Sequence, residues 1–149
     1  MYEGKIIKDK INLDQVIENL MTKSSSKGCG ALVLFLGFVK EVVNDKKVYR
    51  LEYEAYEPHA SRILNEIARE LSCRDGVDAV LIYHRVGLLK PGEPIVYVFV
   101  VAKGRREAFE VAREAIERVK HELPITKLEV RSDGEFWVVG EKRVKRNIK

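Results

Sequence analysis

The segment Gly104–Val130, GRREAFEVAREAIERVKHELPITKLEV, decides how this chain folds. Ala108, Phe109, Ala112, Ala115, Ile116 and Val119 recur at three- and four-residue steps, which predicts a helix over Arg105–His121. Pro124 closes it, because a proline cannot donate to the helical ladder and its ring clashes with the preceding turn. The period then changes. Ile125–Arg131 reads as a strand, and Phe136–Val139, beyond the Asp133-Gly134 turn, completes a hairpin with it.

Working outward, Pro94–Ala102 and Val77–Val86 are apolar runs joined by the turn-rich stretch Gly87–Glu93, and they form an antiparallel pair. Pro58 opens a second helix with Ala60, Ile63, Leu64, Ile67, Ala68 and Leu71 on one stripe, and Gly76 marks its exit. Val48–Tyr56 alternates, Leu51, Tyr53 and Ala55 facing one way and Glu52 and Glu54 the other, as a strand with one wet face does. Ala31–Val39 is almost wholly apolar and is expected to be buried on both faces. A turn at Asn44 and Asp45 follows it. Lys5–Lys8 reads as an edge strand, and Asn12 or Asp14 caps a first helix carrying Val16, Ile17, Leu20 and Met21. Hairpins beside crossovers define an α+β domain, with helices expected over one face of a mixed, mostly antiparallel sheet. The expected division is a single domain over residues 1–140 and a solvated basic tail over 141–149.

The chain has 149 residues, is 46% hydrophobic and 34% charged, and carries a net charge of +4. That composition builds a packed core and excludes a disordered or fibrous chain. No apolar run approaches the ~20 residues of a membrane-spanning helix, and the start lacks a secretion signal, so a cytoplasmic location with no membrane partner is expected. Cys29 and Cys73 stand far apart with no metal spacing, and His59, His84 and His121 show none either, so no metal site is expected. Trp137 is expected in the core or at an interface.

Chemistry concentrates on the long helix. With Phe109 set at zero, the apolar stripe centres near roughly −70°, Arg105 falls at about −40° within it, and Lys120 at about +20° on its margin. A cation on a packing face needs a reason, since burying an unpaired charge costs several kcal/mol. At the helix N-terminus, Arg105 and free backbone N–H groups together suit a phosphate or carboxylate. Equally, Arg105 can pair with an acid of a neighbouring strand while Lys120 reaches solvent at a helix end. Lys127 lies beyond Pro124 on a strand that can run back along the helix. If it does, two lysines meet, and their repulsion lowers an ammonium pKa toward the range of a base or nucleophile.

Five segments then become recognisable: GALVLFLGFVK (Gly30–Lys40), LEYEAYEPHA (Leu51–Ala60), YHRVGLLKPGE (Tyr83–Glu93), GRREAFE (Gly104–Glu110) and VKHELPITKLE (Val119–Glu129). In order and spacing the chain resembles the MoaE family, the large catalytic subunits of molybdopterin synthase, from about Lys5 to Val139. The resemblance implies an α/β hammerhead-type fold and a homodimer, with a small ubiquitin-like sulfur-carrier subunit on each flank to make a heterotetramer. The carrier's Gly-Gly tail ends in a thiocarboxylate, whose sulfur passes in two rounds to cyclic pyranopterin monophosphate and yields the dithiolene of molybdopterin. No metal or cofactor of the protein's own is implied, because the sulfur arrives already activated. The family's essential lysines match Lys120 and Lys127, and its anion-binding arginine matches Arg105. Its substrate contacts match Phe38, Val39, Lys40, the position of Gly104, Leu128 and Glu129.

The chain departs from the family where Lys40 replaces an arginine, Gly104 a histidine, and Thr126 an aromatic residue. The first exchange loses the two-pronged grip of a guanidinium on phosphate, and the second loses a donor. Neighbouring Lys103 and Arg106, one residue before and two after Gly104, are candidates to compensate. Beside the sulfurtransferase stand two alternatives, a non-catalytic dimeric scaffold for a ubiquitin-like carrier and a nucleic-acid-binding module using the basic tail. The last fits poorly, because aromatic and basic residues are not interleaved along one strand.

Overall fold

The computed structural model describes residues 1–147. In chain order the elements are β1 (Tyr2–Ile7), α1 (Leu13–Ser25), β2 (Ala31–Phe38), β3 (Val42–Val43), β4 (Lys46–Ala55), α2 (His59–Ser72), β5 (Val77–Arg85), β6 (Gly87–Leu89), β7 (Pro94–Ala102), α3 (Arg105–Glu122), β8 (Ile125–Arg131), β9 (Gly134–Val139) and β10 (Lys142–Lys145). The expected α+β class with mostly antiparallel pairing is what forms, arranged as two sheets. One runs β1-β5-β7-β2, with β1 parallel to β5 and the other pairs antiparallel. The other runs β10-β9-β8-β4-β3, with β6 added against β4.

The helices do not share one face. Residues alternate along β5 and β7, so Val80, Ile82, Val98 and Val100 pack against α2, α3 and the inner side of the second sheet, where Val48, Leu51 and Leu89 lie. Ala79, Leu81, Tyr97, Phe99 and Val101 turn the other way and pack with Leu20 of α1. The strands buried on both faces are therefore β5 and β7. β2, expected in that role, is instead an edge strand with its side chains half-exposed. Apolar composition specified a sheet position there but could not separate centre from edge.

Local signals explain most boundaries. Asn12 Oδ1 accepts from the Gln15 N–H (3.2 Å), starting α1. Asn44 and Asp45 both adopt positive φ (52° and 63°), the geometry of a two-residue hairpin that follows the strand twist, and they join β3 to β4. In the second sheet, two elements differ from expectation. β6 forms within the Gly87–Glu93 connection because Gly87, Leu88 and Leu89 find Tyr53, Glu52 and Leu51 as partners. The supposed tail orders as β10 on β9, since Arg143 there finds a buried carboxylate; its last two residues lie outside the described ones. Trp137 is 38% exposed, with the Arg146 guanidinium 5.7 Å from its ring centroid.

On α3 the buried residues are Ala108, Val111, Ala112, Ala115 and Val119, while Phe109 is 63% exposed. Small residues admit close approach of the helix to β7 and β2, and that rotates the packing face away from Phe109. Arg105 thereby leaves the stripe and is exposed.

Gly4 of β1 crosses α2 so closely that a Cβ there would penetrate the carbonyl of Leu64 and the backbone nitrogen of Asn65. Neither backbone group can step aside. Gly4→Ala is expected to lower the unfolding free energy by about 2 kcal/mol or more, read as a reduced urea midpoint at unchanged slope.

Candidate functional site

The reversal after α3 builds the site. Leu123 is buried, its N–H still donating to the Val119 carbonyl (3.2 Å), and the Pro124 carbonyl accepts from the Tyr56 N–H (3.0 Å) at the end of β4. β8 is thereby started in register with β4, Tyr53 opposite Lys127 and Leu51 opposite Glu129. Cross-strand partners point to the same face, so Lys127 and Glu129 turn toward the core side of the sheet with Tyr53.

Lys127 is half-buried, and its amine lies 5.9 Å from the Tyr53 ring centroid. Burial holds its pKa below the ordinary lysine value, Glu129 opposes that shift, and the charges of Arg143, Lys120 and Lys40 add to it. Lys120 from the last turn of α3 and Lys40 after β2 thus stand close enough for their charges to be felt at Lys127. Lys40 is held there by its neighbours. Val39 is buried, its N–H donates to the Glu93 carbonyl (3.0 Å) and its carbonyl accepts from Gly92 (2.9 Å), while Glu41 accepts from Val48 (2.8 Å).

Glu129 is 2% exposed and accepts from Arg143 Nε (2.8 Å) and Nη2 (3.3 Å), with Arg131 Nη1 at 3.5 Å. Arg131 is turned away by Asp133, to which it donates twice (2.9 and 3.0 Å), and it lies 4.0 Å from the Phe136 ring centroid. This carboxylate is committed to holding β10 on the sheet, so it belongs to the wall of the site. His84 packs against Tyr53, its ring centroid 5.1 Å from the Tyr53 ring centroid in an edge contact. His84 Nδ1 is 2.7 Å from the Arg85 carbonyl, which can only accept, so Nδ1 carries the proton. Burial, reinforced by the Lys127 charge, pushes the imidazole down to about 4 despite that bond. Burial also raises the Tyr53 phenol, with Glu129 adding to the effect.

The other expected residues divide. Phe38, two residues before Lys40, is 61% exposed, whereas Leu128 is 4% exposed and, alternating with Lys127, faces the opposite side of the sheet. Gly104 caps α3 with φ −136°, a backbone open to any residue, and a Cβ there would meet only the flexible Glu107 carboxylate at 3.1 Å. Arg106 lies 3.9 Å from Glu107 and 4.0 Å from Glu110, and Lys103 is exposed. Arg105 starts the helix that Lys120 ends, ~22 Å away along the axis at 1.5 Å per residue. Within one chain, therefore, Arg105 does not join the lysines. Sequence reasoning missed Tyr53 and Arg143, which enter through strand register rather than through any local motif; His84, at the end of β5, is a buried, hydrogen-bonded structural histidine that reaches Tyr53 from the other sheet.

A half-buried strand lysine of lowered pKa, with further cations close enough to act on it, defines a protein that handles anionic small molecules or carboxylate-like groups. This chain belongs to the MoaE family, whose model, described as MoaE protein, matches residues 6–122. It is 39% identical over 142 residues to the molybdopterin synthase catalytic subunit of Pyrococcus abyssi, covering 92% of this chain and 96% of that one. The crystal structure of molybdopterin synthase from Staphylococcus aureus superposes with a TM-score of 0.80 at 33% identity, covering 93% and 98% of the two chains. The fold is shared also with a Helicobacter pylori structure, a complex of subunits 1 and 2 of molybdopterin-converting factor (TM-score 0.70, 20% identity, 98% and 90% covered).

Two outcomes follow from the buried charges. Glu129→Gln removes the carboxylate that favours the Lys127 ammonium, so the Lys127 pKa is expected to fall further, measured by NMR titration of its ε-carbon. Arg143 and Arg131 lose their partner in the same variant, at a cost of about 3 kcal/mol in denaturant unfolding. His84 titrates near 4 when folded against 6.5 when free. The unfolded chain therefore takes up the proton first on acidification, and the stability His84 contributes is complete above pH 6.5 and lost as pH falls toward 4. That loss is about 3 kcal/mol, and His84→Gln is expected to flatten it relative to the parent.

Proposed function

We propose that this chain transfers sulfur from the thiocarboxylated Gly-Gly tail of a small ubiquitin-like carrier to cyclic pyranopterin monophosphate, making the dithiolene of molybdopterin. The observation that carries the reading is the half-buried Lys127 with Lys120 and Lys40 acting on it, in a member of the MoaE family. Lys120 moves a proton, or holds the carrier's tail, while sulfur attacks the pterin and the acyl group leaves. Lys127 stabilises the negative charge that develops. Lys40 meets the phosphate as a point charge, and exposed Phe38 borders the pterin. The carrier is supported by the Helicobacter pylori structure, a complex of two subunits of the converting factor. The sulfur comes with the carrier, so the chain's own residues need only orient, neutralise and move protons. The reaction belongs to the cytoplasm, with no membrane or nucleic-acid partner, and no helix among the described residues is long and apolar enough to span a membrane.

Arg105 enters through the assembly. An arginine at one end of α3 and a lysine at the other meet in a single pocket when two copies pack so that each lends its Arg105 to the other's lysines. The homodimer, flanked by two carriers as a heterotetramer, then holds two such composite pockets, with the N-terminus of α3 adding backbone donors for the phosphate. Lys103 supports Arg105 there in place of the donor absent at Gly104. Leu128 and Glu129 contribute as backing for Lys127 rather than as direct ligands.

The assay mixes the chain, a thiocarboxylated carrier and cyclic pyranopterin monophosphate, and reads dithiolene product. Lys120→Ala is expected to lower turnover by about a hundredfold or more with carrier binding retained; product formation at the parent rate by this variant would remove Lys120 from the chemistry, and no product from the parent chain with a competent carrier would leave a carrier-binding scaffold as the better description. Inactive Lys120→Ala and Arg105→Ala chains, mixed and allowed to exchange, are expected to recover about a quarter of parental activity, since each mixed dimer contains one intact pocket. No recovery would place Arg105 outside the pocket.

A further inference from the structure

Of the three lysines, only Lys127 is held in a strand and half-buried, and what lies against its amine is an aromatic ring rather than a free carboxylate. Glu129, the nearest acid on its own strand, is already taken by Arg143 and Arg131. We propose that Tyr53 is a positioning residue for Lys127: its ring face seats the ammonium from directly across the β4–β8 ladder, and the His84 imidazole holds that ring through an edge contact. This rests on the reading that Lys127 acts on the sulfur-transfer substrates.

The geometry supplies each part of the seat. Tyr53 is 7% exposed and packed in the main core, so its ring has no room to swing. A lysine chain has four rotatable bonds, and a fixed aromatic face within about 6 Å of the ammonium narrows its choices at a gain that grows as water is excluded. His84 contacts the ring edge, and its Nδ1–H is anchored on the Arg85 carbonyl. Being neutral, it adds no repulsion to a site that already holds Lys120 from α3, Lys40 after β2 and Arg143 from β10. An acid in place of Tyr53 would bind the amine more strongly but cancel the charge that meets the substrate. An aromatic ring orients the cation and leaves its charge uncompensated.

The test replaces Tyr53 in the full chain by Phe, by 3,4,5-trifluorophenylalanine and by Leu. Lys127 is titrated by NMR on its ε-carbon, and turnover is measured with thiocarboxylated carrier and cyclic pyranopterin monophosphate. Tyr53→Phe keeps the ring face and is expected to keep turnover within about twofold. The fluorinated ring has nearly the same shape with its negative face drained, so the Lys127 pKa is expected to drop by about half a unit relative to the Phe protein. Tyr53→Leu is expected to cut kcat about tenfold with KM changed much less, because a loosened amine misplaces its charge in the transition state. Identical Lys127 titrations in the Phe and fluorinated proteins, or a Phe variant as impaired as Leu, would overturn the proposal. Should the parent chain itself give no product, the sulfur-transfer reading fails, and the titration pair alone still decides whether Tyr53 seats Lys127.

Discussion

The pairing of β8 with β4 is the constraint on which the site depends. It sets Tyr53 against Lys127 and Leu51 against Glu129, and a slip of one residue would turn both charged side chains to the opposite face. Register of this kind is fixed where one face is buried, and here the Pro124 carbonyl bond to Tyr56 pins it at the end nearest α3. The first sheet, with its two-sided core, supplies the rigid platform. The second sheet carries the side chains that do chemistry, and α3 connects the two.

Buried charge is handled differently at the two acidic-basic centres. Glu129 is removed from water but receives two hydrogen bonds from Arg143, so its ionised form is satisfied, and the charged strand β10 is ordered as a result. Among the described residues, Lys127 has no ion-pair partner of its own. It stays beside a carboxylate whose bonds are spent on guanidinium groups, and among cations that raise the cost of its proton. Structural stability and chemical readiness are thus separated by a single alternation of the strand from 127 to 129.

How far the sequence spoke depended on whether a feature was local. The helix Arg105–Glu122, its stop at Pro124 and the returning strand were legible from period and proline chemistry, and the approach of Lys120 to Lys127 follows from that reversal. Asn12 as a cap and the Asn44-Asp45 turn were legible for the same reason. Tyr53 and Arg143 were not, because they reach the site through strand pairings set by the fold rather than by any local pattern. Phe109 misled because hydrophobicity weighs a large ring above alanine, whereas Ala108, Ala112 and Ala115 let α3 approach the sheet. β6 is three residues long, too short for any period, and three of the four residues of β10 are charged; both exist because a neighbouring strand had partners to offer.

The length of α3 carries a further meaning. A cation stands at each of its ends, so the helix works as a spacer with both tips committed. Dropping or adding one residue within it would swing one tip by about 100° relative to the other and slide it by about 1.5 Å. Insertions and deletions should accordingly be tolerated at the Lys27–Gly30 connection or beyond β10, and be purged between Arg105 and Lys120 even where every side chain there is exposed.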